Sequence, residues 1–227
     1  MEERPACVGF IMDGNRRWAR ERGLPTLEGH RAGYETLKSL VRTARRERIP
    51  HVVCYAFSTE NWRRPEDEVS YLMDLMGEAL AELAESMRGE DGAVNVRVIG
   101  DESRLTNALR DGIRRAEAKN ESENPLTVWV ALSYGGRAEI VEAANRVRSE
   151  DGRLDEASFE RFLWSGEMPD PDLIVRTGGE KRLSNFLLWK ASYSELFFSD
   201  TLWPDFGDEE FRSILDEYGK RQRRRGA

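Results

Sequence analysis

Short apolar runs alternating with longer helix-periodic segments predict an α/β fold: an open, mainly parallel six-stranded sheet flanked by helices. The runs are Val8–Met12, His51–Phe57, Val94–Ile99, Leu126–Leu132, Leu173–Val175 and Leu196–Phe198. Between most of them, apolar residues recur every three to four positions among charged ones, as in amphipathic helices. Strands alternating with helices imply βαβ units, whose sheet is covered on both faces and binds ligands beyond its carboxyl edge.

The first run ends on Asp13, followed by Gly14, Asn15, Arg16, Arg17 and Trp18. Strand, acid, glycine and cations in that order suit an anion site with a metal. Gly14 lets the backbone approach a ligand, Arg16 and Arg17 suit phosphate oxygens, and Asp13 suits Mg²⁺. A plain D-G turn with solvated arginines explains this stretch equally well on its own. Gly33–Arg48 and Glu66–Met87 read as helices around the second strand. In the latter, Val69, Leu72, Met73, Leu75, Met76, Ala79, Leu80 and Leu83 spread wider than one stripe. That breadth lets the helix pack on the sheet and still line a cavity, although an ordinary core helix is the simpler reading. Arg88–Ala93 reads as a loop, and Glu102–Lys119 as a helix started by Ser103. Arg137–Arg148, Asp155–Trp164 and Asp208–Arg224 supply the remaining helices.

Composition narrows the function. A chain of 227 residues without a Gly/Ser linker or internal repeat is most simply one domain, residues 1–227. A net charge of −7 argues against a general nucleic-acid binder. Two cysteines fit a reduced setting, and two histidines make a zinc enzyme a poor match. No apolar run has the length of a membrane span, and M-E-E-R-P is no signal peptide. The expectation is a cytoplasmic protein, with any peripheral membrane connection made through its ligand.

Residues following the strands sample one rim of the molecule. Beyond the Asp13–Arg17 group, these are Ser58, Thr59, Glu60, Asn61, Trp62 and Arg64; Ser133 to Arg137; and Arg176 to Ser184. Arginines interleaved with hydroxyls suggest phosphate or diphosphate binding. Yet G-x-x-x-x-G-K-[ST], G-x-G-x-x-G after a strand, and G-x-S-x-G are all missing. The chemistry left is positioning and charge stabilisation, with Mg²⁺ and arginines holding a departing diphosphate.

M-D-G-N-R-R-W-A (Met12–Ala19), G-H-R-A-G (Gly29–Gly33), Y-A-F-S-T-E-N-W-R-R-P (Tyr55–Pro65), S-Y-G-G-R (Ser133–Arg137) and R-T-G-G-E-K-R-L-S-N-F-L-L-W (Arg176–Trp189) follow in order, then S-E-L-F-F (Ser194–Phe198) and W-P-D-F (Trp203–Phe206). Together these resemble the cis-prenyltransferases, the undecaprenyl diphosphate synthase family. The resemblance implies a homodimer that adds isopentenyl diphosphate to an allylic diphosphate, farnesyl or geranylgeranyl. It also implies an apolar tunnel between sheet and helices for the growing chain. Asp13 would bind Mg²⁺ with Glu195. Gly14, Asn15, Arg16 and Arg17 would cradle the allylic diphosphate, with Trp18 and His30 nearby. Ser58, Thr59, Glu60, Asn61, Trp62 and Arg64 match a loop closing over the substrates, with Asn61 in the proton-accepting position. An amide is a poor base, so positioning a diphosphate oxygen or water suits Asn61 better. Arg176, Arg182, Leu183 and Ser184 would hold isopentenyl diphosphate. Arg224 and Gly226 match an R-x-G element reaching the partner subunit's site, or form a basic tail.

The chain departs from that pattern at Thr26, where an arginine is frequent, at Lys181, where a histidine is, and at Ser133, where asparagine is. The wording G-G-E-K-R-L-S-N looks more archaeal-like, which would suit a geranylgeranyl primer. Trp129 would shorten the product if it faced the tunnel, and says nothing about length if it faces a covering helix. A non-catalytic subunit of a heteromeric enzyme is the alternative; such subunits lose the early aspartate motif, which is intact here. A nucleotide-dependent phosphotransferase would need the nucleotide loop that is missing.

Overall fold

The computed structural model describes residues 4–86, 94–121, 126–147 and 154–221. The strands are β1 (Cys7–Ile11), β2 (His51–Ser58), β3 (Asn95–Ile99), β4 (Thr127–Tyr134), β5 (Leu173–Arg176) and β6 (Glu195–Phe198). They form one sheet in the order β3-β4-β2-β1-β5-β6, and every neighbouring pair is parallel. The helices are α1 (Asn15–Glu21), α2 (Thr26–Arg46), α3 (Glu66–Ser86), α4 (Asn107–Glu117), α5 (Gly136–Val147), α6 (Glu156–Glu160) and α7 (Asp208–Lys220).

Side-chain alternation along the strands builds a separate core on each face. Val8, Phe10, Val52, Cys54, Val128, Val130 and Leu132 pack with residues of α2, α3 and α7. There the Phe10 and Phe211 rings meet edge to face with centroids 5.3 Å apart. Cys7, Ile11, Val53, Trp129 and Ala131 point the other way, against Met168, Phe186 and Leu187. Trp129 thus lies on the face away from α2 and α3, where its indole N–H is 3.3 Å from His51 Nδ1. Both cysteines are free and buried.

Two helices start elsewhere than expected, α6 ends at Glu160 rather than Trp164, and α1 is not among the expected helices. α2 begins at Thr26 after Pro25, so Gly29 and Gly33 lie inside it. Contact with α1 explains that placement: a Cβ at Gly29 would lie 2.1 Å from the Asn15 carbonyl oxygen, and one at Gly33 2.4 Å from Asn15 Oδ1. Only glycine lets the two helices come this close. α4 starts after Thr106, whose hydroxyl accepts from the Leu109 N–H at 3.2 Å, whereas Ser103 sits in a separate 3-10 turn. α1, which carries the arginines, is too short to show a helical period in the sequence. The loop expected at 88–93 and the basic tail with Arg224 and Gly226 lie outside the described residues.

Between α2, α3 and the sheet lies an apolar recess of about 70 Å³, lined by Leu37, Leu72, Met76, Ala79, Leu80 and Val130 among others. It is a narrow pouch rather than an open tunnel, and Met12, Asn15 and His30 line it too. No helix among the described residues is long and apolar enough to cross a membrane.

Candidate active site

The carboxyl ends of β1, β2 and β5 carry two recesses, of about 600 and 590 Å³. They share Met12, Asp13, Asn15, His30 and Arg64 as lining, so Asp13 stands where the two meet. β1 ends at Ile11 and the chain turns at Gly14, whose φ of +117° is a conformation few other residues adopt. That turn is anchored from below. The Asp13 carbonyl accepts from the Trp203 N–H at 3.0 Å and from the Thr177 hydroxyl at 2.8 Å.

The first recess is lined by Asp13, Gly14, Asn15, Arg16, Arg17, Arg20, Thr26, His30 and Arg64. Arg17 is steadied by the Gly178 carbonyl at 3.1 Å, while the Arg16 side chain is 58% exposed. Behind this lining stands Glu68 of α3, a buried carboxylate. Its Oε1 lies 3.2 Å from His30 Nε2 and accepts from Arg64 Nη1 at 3.1 Å. Burial pushes the His30 pKa down, against the pull of Glu68, and neighbouring Arg64 adds to the fall. Burial likewise lowers the Arg64 pKa, with Glu68 opposing.

The second recess is lined by Ser58, Glu60, Asn61, Arg64, Arg176, Arg182, Ser184 and Asn185, with Tyr55 and Ala56. Arg176 is buried at the end of β5 and held on two sides. Nη2 donates to Asp13 Oδ2 at 2.7 Å, and Nη1 to the Arg182 carbonyl at 2.7 Å and Ser184 Oγ at 2.6 Å. Its Nε is buried without a partner, as is Asn15 Oδ1. Arg182 is exposed and paired with Glu180. Across the recess, a 3-10 turn (Thr59–Arg63) follows β2, and Asn61 Oδ1 accepts from the Ser58 N–H at 3.1 Å. Glu60 accepts from Asn185 Nδ2 at 2.9 Å and from the Thr59 hydroxyl at 3.2 Å. Burial alone would raise the Glu60 pKa, but hydrogen bonds from its own backbone, Asn185, Ser58 and Thr59 hold it below the usual range.

Several residues expected at the site point elsewhere. Trp18 turns outward, donating to Asp205 at 2.7 Å with the Arg22 guanidinium 4.3 Å above its ring. Trp62 donates to Ser133 Oγ at 3.0 Å and packs edge-on against Phe57, lining the groove between α3 and α4. Leu183 packs against the core on the face away from α2 and α3. Glu195 does not meet Asp13 within the chain. The register pairs Val8 with Leu173 and Leu173 with Glu195, placing Glu195 at the amino end of the sheet. There its carboxylate is held by Arg221 at 2.8 Å. Sequence reasoning also missed Glu68 and Asn185. The Arg64–Glu68 spacing of four was a readable signal; Asn185 offered none beyond its place after Ser184.

A family model described as "Putative undecaprenyl diphosphate synthase" matches residues 11–226. An isoprenyl transferase of Aquifex aeolicus is 43% identical over 223 residues, covering 98% of this chain and 96% of the relative. One from Thermotoga maritima is 41% identical, covering 98% and 97%. Lavandulyl diphosphate synthase from Lavandula x intermedia, solved with dimethylallyl diphosphate, superposes with a TM-score of 0.92 at 35% identity, covering 98% of each chain. A probable undecaprenyl diphosphate synthase from Campylobacter jejuni gives 0.83 at 37% identity, with both chains fully covered. With relatives aligned along nearly its whole length and the same sheet beneath its motifs, the chain belongs to the undecaprenyl diphosphate synthase family of isoprenyl transferases.

Proposed function

We propose that residues 1–227 form a single catalytic domain that condenses isopentenyl diphosphate with an allylic diphosphate, farnesyl or geranylgeranyl, in cis geometry. Two cation-lined recesses meeting at one carboxylate, Asp13, are the observation that supports this reading. The first recess takes the allylic diphosphate on Arg16, Arg17, His30, Arg64 and the backbone of Gly14 and Asn15. The second takes isopentenyl diphosphate on Arg176, Arg182 and Ser184. Two substrates held side by side react as one molecule would, without the entropic cost of a chance encounter.

In the reaction the bond from the allylic carbon to its diphosphate oxygen breaks, and the alkene of isopentenyl diphosphate attacks that carbon. Loss of a proton from the adjacent carbon restores a double bond. The arginines stabilise negative charge as it grows on the leaving group. With Oδ1 engaged by Ser58, Asn61 has its Nδ2 donor left, which suits holding the diphosphate oxygen or water that takes the proton.

Mg²⁺ fits this donor set in one mode. Among the described residues no group of three His, Cys, Asp or Glu side chains could cage an ion. Asp13, 35% exposed with Oδ2 tied to Arg176, offers its other oxygen, as Mg²⁺ sites completed by substrate phosphates require. Bound there, Mg²⁺ would neutralise charge on the leaving diphosphate. Glu195 can join it only in a site completed across two copies of the chain. A homodimer is favoured by the exposed Leu196 and Phe198 on edge strand β6 and by the exposed Tyr193 in the turn before it.

The apolar pouch beneath α3 supports a hydrocarbon path, which widens to a tunnel as the prenyl chain enters; adaptable Met76 lines it. Each methylene sheltered there contributes about 0.8 kcal/mol. A cytoplasmic enzyme touching the membrane peripherally, through its lipid product, follows from that path. Purified protein incubated with Mg²⁺, labelled isopentenyl diphosphate and a panel of allylic primers tests the reading. Extractable polyprenyl diphosphates are expected, and no incorporation from any primer would end it.

A further inference from the structure

Two guanidiniums and an imidazole of the first recess come from three separate segments and converge on one atom. His30 of α2 lies 3.2 Å from Glu68 Oε1, Arg64 3.1 Å and Arg16 of α1 3.8 Å. The Glu68 side chain is only 8% exposed and does not line the recess itself. It stands behind the lining, one guanidinium away from any anion the lining binds. Such an acid has two effects of opposite sign on a bound diphosphate. It holds the cations in place, which strengthens binding, and it repels the incoming anion through a poorly screened interior, which weakens it. The two are separable, because a glutamine at 68 keeps the Oε1 acceptor for Arg64 and His30 while removing the charge.

Resting on the reading of this recess as the allylic diphosphate site, we propose that Glu68 is a positioning residue that limits how tightly the recess holds diphosphate. Each transfer leaves inorganic diphosphate where the allylic diphosphate had been, so the site must be emptied before another substrate enters. Four arginines and a histidine line the recess, against Asp13 as its lining acid. A lining so rich in cations binds diphosphate tightly enough to retard its departure unless something opposes it. Glu68 supplies that opposition from a place where the substrate cannot displace it.

The test measures calorimetric binding of inorganic diphosphate, with Mg²⁺, to the full chain and its variants, beside single- and multiple-turnover rates. Glu68→Gln is expected to bind diphosphate about tenfold more tightly. Its multiple-turnover rate is expected to fall further than its single-turnover rate, which a purely structural role does not produce. Glu68→Asp keeps the charge and is expected to bind diphosphate like wild type. If Glu68→Gln does not fold, Glu68→Ser removes the same charge and reads the same affinity. Unchanged or weaker binding in a folded neutral variant overturns the proposal, as does equal tightening in Glu68→Asp. Wild-type protein that bound no diphosphate would instead end the reading of the site.

Discussion

The two recesses flanking Asp13 carry cations in different ways. In the second, Arg176 is buried and pinned by Asp13, Ser184 and the Arg182 carbonyl, so its place is fixed before any ligand arrives. In the first, Arg16 is mostly exposed and approaches Glu68 at 3.8 Å, while Arg64 and His30 share that same acid. A pinned arginine contributes geometry, because the order it brings is already present in the folded chain. The exposed Arg16 contributes charge that can follow a moving anion. Family membership makes the chain a prenyltransferase. Under the proposed reading, the rigid side aligns isopentenyl diphosphate and the other side holds the diphosphate that departs.

That contrast is broken most severely at Asp13, which serves both recesses. Asp13→Ala leaves the Arg176 guanidinium buried without its carboxylate, so urea unfolding should show a loss of about 3 kcal/mol, and turnover should fall at least about a thousandfold. Asp13→Asn keeps an acceptor for Arg176 and separates the two effects. It should lose about a hundredfold or more in kcat while costing about 1 kcal/mol of stability or less. Equal stability losses in the two variants would show that Arg176 depends on the carboxylate charge itself and that a neutral acceptor cannot replace it.

Substitutions in the looser groups should be milder. Arg182→Ala is expected to raise the KM for isopentenyl diphosphate about tenfold with little change in kcat. Arg16→Ala should raise the KM for the allylic substrate several-fold, with a stability change within about 0.5 kcal/mol, because its side chain is 58% exposed. An Arg16→Ala defect larger than that of Asp13→Asn would reverse the contrast.

Acid tests the His30–Glu68 contact in a third way. Burial lowers the folded His30 pKa from 6.5, so the unfolded chain takes up a proton that the folded one resists. Above pH 6.5 the residue is neutral in both states and contributes no slope. As pH falls from there toward the folded pKa, stability should decline, and His30→Gln should flatten that part of a stability-against-pH curve. The smallest effect is expected at Trp129, which faces away from the apolar pouch. Trp129→Phe should leave product length unchanged, and a shift in the product ladder would place its ring on the hydrocarbon path.

Much of this was legible before any coordinates. The strand runs and their loops lie within a residue or two of the observed strands, because buried parallel strands must be apolar and their carboxyl-end loops must carry glycine and polar residues. The motif order located Asp13, Arg176 and Ser184 together, and G-H-R-A-G now has a steric cause in the α1–α2 contact. Long-range orientation was not legible. Trp18 and Trp62 sit in motif positions yet line neither recess, because hydrogen bonds to Asp205 and Ser133 fix their indoles and neither partner is near in sequence.

The sequence by itself determined the alternation of elements, the family, and which loops share a rim, since these follow from local periodicity and short ordered motifs. Tertiary structure alone decided that Glu195 stands at the opposite end of the sheet from Asp13, that Trp129 turns from the pouch, and that Glu68 gathers Arg16, Arg64 and His30. Strand register and helix packing set those facts. Both arise from contacts between residues far apart in the chain, which no local pattern encodes.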